Sequence, residues 1–315
     1  MIRTAVVGVG YLGRFHAQKY AALPNSHLLG VADPSALARS AVATELKVAA
    51  YADYRELLGH VDAVSIVTPT PLHYEVAKDF LDAGASVLVE KPMTVTIAEA
   101  ESLVEVARRA DRVLQVGHLE RFNVAIQAVQ PALTVPRFIE SARLAPFKHR
   151  GTDVDVVLDL MIHDIDLIQS IVRSPVVSVD AIGTSVFSKE IDIANARLRF
   201  ANGCVANATA SRVSMKTERK LRLFQDDAYV SIDLQQKVLT MIRKGAGVGA
   251  DGMPQVSIEE NSYEQGDALR DEIAAFLACV ATGSPPPVSG EDGLLALRTA
   301  IEITEQVASS RKRFS

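Results

Sequence analysis

The sequence predicts a two-part α/β protein: a doubly wound parallel sheet, followed by a second α/β domain carrying a large, mostly antiparallel open sheet. Three observations support this. The stretch GVGYLG, residues 8–13, stands between an apolar β-like run and a segment of helical period. Up to about residue 119, short apolar runs alternate with helix-like segments, the rhythm of βα units with parallel strands. Beyond that point strand-like segments follow one another with few helices, so the division is placed between domains 1–119 and 120–315.

The first strand, 2–7, delivers the glycine loop. Gly8 allows a tight turn, Gly10 lets backbone approach a pyrophosphate, and Gly13 lets the next helix pack on the strand. Backbone N–H groups at the helix start then face the anion. A helix over 14–23 ends at Pro24-Asn25, and a buried strand over 27–32 leads to Asp33. Asp33 lies 20 residues after Gly13, where a carboxylate accepts from the adenosine ribose hydroxyls and repels a 2′-phosphate; the cofactor expected is NAD rather than NADP. A turn aspartate ahead of Pro34 is the alternative.

The alternation continues with a helix over 34–46, a short strand over 48–51, a helix over 54–58 and a β-branched strand over 63–68 that reads as covered on both faces. Thr68-Pro69-Thr70-Pro71 ends that strand, leaving hydroxyls and a loop at the sheet edge where ligands bind, or an ordinary strand-end turn. A helix over 73–83, beginning at His73, precedes a strand over 86–89 that brings Glu90-Lys91-Pro92 to the same edge. By residue type alone, Lys91 is most simply a solvated charge, with an active-site role as the alternative. A helix over 97–110 and a strand over 113–116 complete the domain and lead into Gly117-His118-Leu119-Glu120-Arg121-Phe122-Asn123.

In the second half, strands are expected over 138–144, 176–186, 193–200, 205–211, 221–224 and 229–234, with Asn202-Gly203 as a hairpin turn. The glycine-rich 246–254 reads as a mobile loop, with a substrate-covering role as the alternative. Helices over 267–281 and 291–309 close the chain. The embedded helix DLMIHDIDLI, 159–168, carries the most informative chemistry. Helical spacing puts Asp159, His163 and Asp166 near one face, and two carboxylates beside an imidazole raise its basicity, as a general base requires. A satisfied polar helix face is the bland alternative; a metal site lacks a third-ligand motif, and no metal is expected.

The chain has 315 residues, 48% of them hydrophobic, ample for two buried cores. A net charge of −5 offers no field for nucleic acid. The two cysteines, Cys204 and Cys279, have neither metal-like nor redox-like spacing, which fits a reducing cytoplasm. No secretory leader and no apolar stretch of membrane-spanning length is visible, so neither secretion nor a membrane partner is expected.

GVGYLG with Asp33, TPTPLHYEVA, VLVEKPM and the D-x-x-x-H-x-x-D arrangement from Asp159 to Asp166 together resemble the Gfo/Idh/MocA oxidoreductases, the glucose-fructose oxidoreductase and inositol dehydrogenase family. The resemblance implies a Rossmann domain in which NAD contacts Gly8, Gly10, Tyr11, Leu12, Gly13 and Asp33, then Thr68, Pro69, Thr70 and His73, and finally Glu90, Lys91 and Pro92 across a cis Lys91-Pro92 bond. It also implies that Lys91, Asp159 and His163 are catalytic. Met161 stands where the family often has glycine, a local departure.

The activity implied is NAD-dependent oxidation of a secondary hydroxyl of a sugar: His163 takes the hydroxyl proton, Lys91 stabilises the developing alkoxide, and Asp159 orients His163. GHLERFN and the run 143–153 resemble the subgroup that oxidises nucleotide-linked amino sugars, at C3 of a sugar such as UDP-N-acetylglucosamine in lipid A or surface polysaccharide synthesis. His118, Arg121, Asn123, Lys148 and Arg150 would then join Lys91, Asp159 and His163 at the substrate. Arg121, Lys148 and Arg150 could meet its diphosphate, although each is as readily a surface cation. A free-sugar or inositol dehydrogenase, an NAD-dependent glycosidase of the same family, and a non-catalytic NAD sensor are the alternatives. A sensor has no need of a base beside a cation. An open antiparallel sheet often covers its outer face with a second copy, so a homodimer or homotetramer is expected.

Overall fold

The structure, a computed structural model, describes residues 1–148, 154–248, 252–263 and 266–314. It divides into two units, 1–119 with 267–295, and 120–266 with 296–315.

The first unit alternates strands and helices: β1 (Ile2–Val7), α1 (Tyr11–Ala22), β2 (Ser26–Ala32), α2 (Ala36–Leu46), β3 (Ala49–Tyr51), β4 (Ala63–Ile66), α3 (His73–Asp82), β5 (Ser86–Glu90), α4 (Ile97–Ala110) and β6 (Leu114–Gly117). All six strands are parallel, in the order β3-β2-β1-β4-β5-β6. β4 is buried at all four positions, as a central strand covered on both faces must be. The order reverses between β1 and β4, so the loops after Val7 and Ile66 meet at the switch point, where ligands bind in such sheets. Thr96 and Glu99 form a reciprocal capping box that starts α4. The helix expected over 54–58 is a single 3-10 turn, Tyr54–Leu57.

The helix Ala268–Thr282 belongs to this first unit. Its Ile273, Phe276 and Leu277 are fully buried in one core with Val6, Tyr20 and Val31, each contributing roughly 1.5–3 kcal/mol of burial. A single cut of the chain at 119 would have assigned it to the other domain; sequence order gives no sign of this return.

The second unit begins with α5 (Val124–Val129) and contains β7 (Phe138–Leu144), α6 (Ile162–Val172), β8 (Val176–Thr184), β9 (Ile193–Phe200), β10 (Val205–Ser211), β11 (Glu218–Phe224), β12 (Ala228–Asp233), β13 (Val238–Val248) and β14 (Pro254–Ser262). With Ala268–Thr282 as α7, the last helix is α8, Gly290–Phe314; the division between units falls within it. The eight strands run β14-β13-β12-β11-β7-β10-β9-β8, and every pair is antiparallel except β7 with β10. Asn202 and Gly203 lie in the β9–β10 turn, with Gly203 at φ +88°. Small side chains on the inner face of β9 and β10, among them Ala196, Ala206 and Ala208, share a core with Ile162, Ile165 and Ile168 of α6.

Residues 246–248 belong to a strand rather than to the loop that the glycines of 246–254 suggest. β13 continues to Val248, β14 starts at Pro254, and residues 249–251 lie outside the described residues. Every residue of β14 is exposed, so the strand has no buried face and leaves no period-two signal.

Candidate active site

In the first unit, the glycine loop is shaped by contact distances. Gly8 has φ +84°, and a Cβ there would lie 2.7 Å from the Val67 carbonyl. A Cβ on Gly13 would lie 1.9 Å from the Gly8 carbonyl oxygen. Both positions therefore exclude any larger residue, whereas a Cβ on Gly10 would meet nothing within 4 Å. The open space at Gly10 is the approach that a pyrophosphate needs, and Gly10 caps α1 without a side chain to compete for its first N–H groups. The residues present fit a dinucleotide.

Asp33 follows β2. One carboxylate oxygen accepts from the Val9 N–H at 2.8 Å, inside the glycine loop, and the other from Ser35 N–H at 2.8 Å. The carboxylate thus serves the turn before α2 and also holds the loop. Half-exposed, it keeps lone pairs for ribose hydroxyls. Thr68 and Pro69 follow β4, and Thr70 opens a 3-10 turn before α3. His73 is 1% exposed, and its ring nitrogens lie 2.9 Å from the Pro92 carbonyl and 2.8 Å from the Thr68 carbonyl. Its ring therefore ties two loops together rather than presenting itself to a cofactor. Burial pushes His73 below its ordinary value despite these bonds. Lys91 is half-buried at the end of β5, and its bond to Pro92 is cis.

In the second unit, Asp155 starts the segment carrying the expected base, its Oδ1 accepting from Val157 and Leu158 N–H at 2.8 and 2.9 Å. A π turn, Val157–Met161, precedes α6. Asp159 lies in that turn and His163 in the first turn of α6, so the uniform α-helical face read from their spacing is replaced by a π-to-α junction, a feature frequent at functional sites. Both are half-buried. Asp166 does not join them as a partner of His163 on a shared face: its carboxylate is forked by the Arg121 guanidinium at 2.7 and 2.8 Å. Beside this pair, Arg143 is buried with Asp164 at 2.7 Å and Glu120 at 2.9 Å. Burial alone would lower the proton affinity of Arg143, but the two carboxylates outweigh it and hold the guanidinium charged.

The family model described as an oxidoreductase family with an NAD-binding Rossmann fold matches residues 2–118, and the Gfo/Idh/MocA C-terminal domain matches residues 133–231. The chain belongs to the Gfo/Idh/MocA oxidoreductases. It is 42% identical to the UDP-N-acetylglucosamine 3-dehydrogenase of Acidithiobacillus ferrooxidans over 99% of each chain. A solved structure of that dehydrogenase superposes with a TM-score of 0.92 over 98% of both chains. The myo-inositol 2-dehydrogenase of Thermotoga maritima is 26% identical, covering 94% of this chain and 93% of its own. A levoglucosan dehydrogenase solved with NADH shares the fold at a TM-score of 0.86 and 18% identity, covering 98% of this chain and 97% of its own.

The cofactor is NAD, and the glycine loop and Asp33 lie in the matched NAD-binding Rossmann domain. Of the residues expected at substrate, His118 is buried at the end of β6 and Lys148 is exposed after β7. Arg150 lies outside the described residues. Asn123 is occupied by the fold: its Oδ1 caps α5 at the Ala125 N–H, and its amide donates to the Leu234 carbonyl at 2.9 Å. Arg121 is an ion-pair partner of Asp166 rather than an uncommitted cation for a diphosphate. Sequence reasoning missed Glu120, Arg143 and Asp164. Arg143 alternates with Ile139 and Ser141 on the inward face of β7, and an arginine at an inward position demands buried carboxylates.

Proposed function

We propose that this oxidoreductase is an NAD-dependent dehydrogenase of UDP-N-acetylglucosamine, removing hydrogen from C3 of the amino sugar. The observation that carries the reading is 42% identity over 99% of both chains with a dehydrogenase of that substrate. NAD, when bound, supplies the acceptor for the hydride leaving the carbinol carbon. His163 accepts the hydroxyl proton, so that one hydride and one proton leave and a ketone remains. Asp159 orients the imidazole, and Lys91 places its ammonium against the charge that develops on oxygen. The backbone N–H groups at the start of α1 hold the pyrophosphate, and Asp33 holds the ribose. We place the enzyme in the cytoplasm as a homo-oligomer; two buried free cysteines and the fully exposed β14 support that placement. Among the described residues no helix is long and apolar enough to cross a membrane.

The test is NADH formation with UDP-N-acetylglucosamine by the native enzyme and by His163→Ala. Loss of a general base lowers turnover by about 100- to 10,000-fold, with NAD binding retained. Equal turnover by the variant would remove His163 from the reaction, and NADH formed with free sugars or inositols alone would reject the substrate.

A further inference from the structure

We propose that Glu90 and His73 are positioning residues that hold Lys91 from either side of its peptide, with His16 fixing Glu90 from the interior of the first unit. This rests on the role given above to Lys91. On one side, Glu90 Oε2 accepts the Lys91 N–H at 3.2 Å while Oε1 lies 3.1 Å from His16 Nε2. On the other, the His73 ring nitrogens lie between the carbonyl of Pro92, the residue after Lys91, and that of Thr68 at the end of the neighbouring strand loop, and the neutral ring donates to one of the two. The chain is thus fastened at the Lys91 N–H and again at the carbonyl of the next residue, Pro92.

The interior bonds lead from the Glu90 carboxylate into the core of the first unit. Burial alone pushes the Glu90 carboxyl up, but the His16 hydrogen bond and the Lys91 charge overcome it and keep the group ionised. A carboxylate only accepts, so His16 donates from Nε2. Nδ1 of the same ring lies 3.2 Å from the Ser65 hydroxyl, which lies 2.8 Å from the Tyr20 hydroxyl. Side chains of α1, β4 and β5 are joined in this way, and His16, Ser65 and Tyr20 are fully buried. Space for the carboxylate comes from β6: a Cβ on Gly117 would lie 3.0 Å from the Glu90 carboxyl atoms. This chain of buried hydrogen bonds ends at the backbone N–H of the half-buried Lys91. Its effect is to fix the root of a side chain with four rotatable bonds, where a displacement of about 1 Å can cost roughly 100-fold in rate.

Three variants, Glu90→Leu, Glu90→Gln and Lys91→Ala, are compared for turnover of UDP-N-acetylglucosamine, KM, NAD affinity and melting temperature. Glu90→Leu is expected to lower kcat at least 10-fold with KM for the sugar nucleotide within threefold. Glu90→Gln is expected to regain most of that loss, because its amide oxygen still accepts the Lys91 N–H and the His16 ring can exchange tautomers. Lys91→Ala separates the two claims. If it turns over normally, the catalytic role of Lys91 fails; if it is impaired while Glu90→Leu matches the native enzyme, the clamp fails. Amide hydrogen exchange of the native enzyme gives a readout that needs neither turnover nor a folded variant. The Lys91 amide should exchange at least 100-fold more slowly than an unstructured peptide, and exchange at the unstructured rate would overturn the clamp.

Discussion

Two alanine substitutions three residues apart should separate folding from cofactor binding. In Gly13→Ala the new Cβ would lie 1.9 Å from the Gly8 carbonyl oxygen, where ordinary contact begins at 3.4 Å. The start of α1 must then move away from the loop by roughly 1 Å or more, an overpacking that costs about 3 kcal/mol. In Gly10→Ala the Cβ meets nothing within 4 Å, and the residue sits at φ −66°, which alanine adopts without strain. Stability should therefore change by less than about 1 kcal/mol, the weaker N-cap and the stiffer unfolded chain nearly offsetting each other. The methyl group instead fills the space left for the pyrophosphate. Loss of one charge-assisted hydrogen bond costs about 1.5–3 kcal/mol, or roughly 10- to 150-fold in Kd. Calorimetric melting without ligand and titration with NAD measure the two quantities. A Gly10→Ala protein that binds NAD like the native one would refute the assignment of the open space, and a Gly13→Ala protein of native stability would refute the packing argument.

Two further outcomes follow from the second unit. Arg143→Met leaves the Asp164 carboxylate buried without its cation and should destabilise the protein by about 3–5 kcal/mol in urea unfolding; a loss under 1 kcal/mol would mean that the Arg143–Asp164 pair is not buried as described. At Asp192, burial alone would push the carboxyl up, but the Ser188 hydroxyl and the N–H groups of Ser188, Val186 and Phe187 pull it down to about 2. Because the folded value lies below the unfolded one, near 3.8, this carboxylate contributes about 2 kcal/mol above pH 4 and loses it as the pH falls toward 2. Asp192→Asn should be less stable by that amount at pH 7 and approach the native protein near pH 2. A difference independent of pH would contradict the linkage.

The nucleotide-binding fold was legible because its signals are local. The glycines at 8, 10 and 13 sit together in one short loop, and Asp33 lies at a spacing set by one βαβ unit. Strands β7 and β9 to β12 were legible because one face of each is buried. β14 was hidden because all nine of its residues are exposed, and the place of α7 in the first unit is a tertiary fact with no local sign. At the candidate site, His163 and Lys91 stood out by residue type, but partner choice did not. Arg121 meets Asp166 across 45 positions and Glu90 meets His16 across 74, so a cation and a carboxylate expected at substrate or cofactor also have partners inside the protein. The π turn that carries Asp159 also escaped a reading based on helical period.

The central claim, oxidation at one carbon of the amino sugar, is tested most directly by isotope transfer. UDP-N-acetylglucosamine carrying deuterium at C3 is incubated with the enzyme and NAD, and both products are weighed by mass spectrometry. The account predicts deuterium on the reduced nicotinamide and a keto sugar that has lost it. Reduced nicotinamide free of deuterium, with the label kept in the sugar, would contradict it.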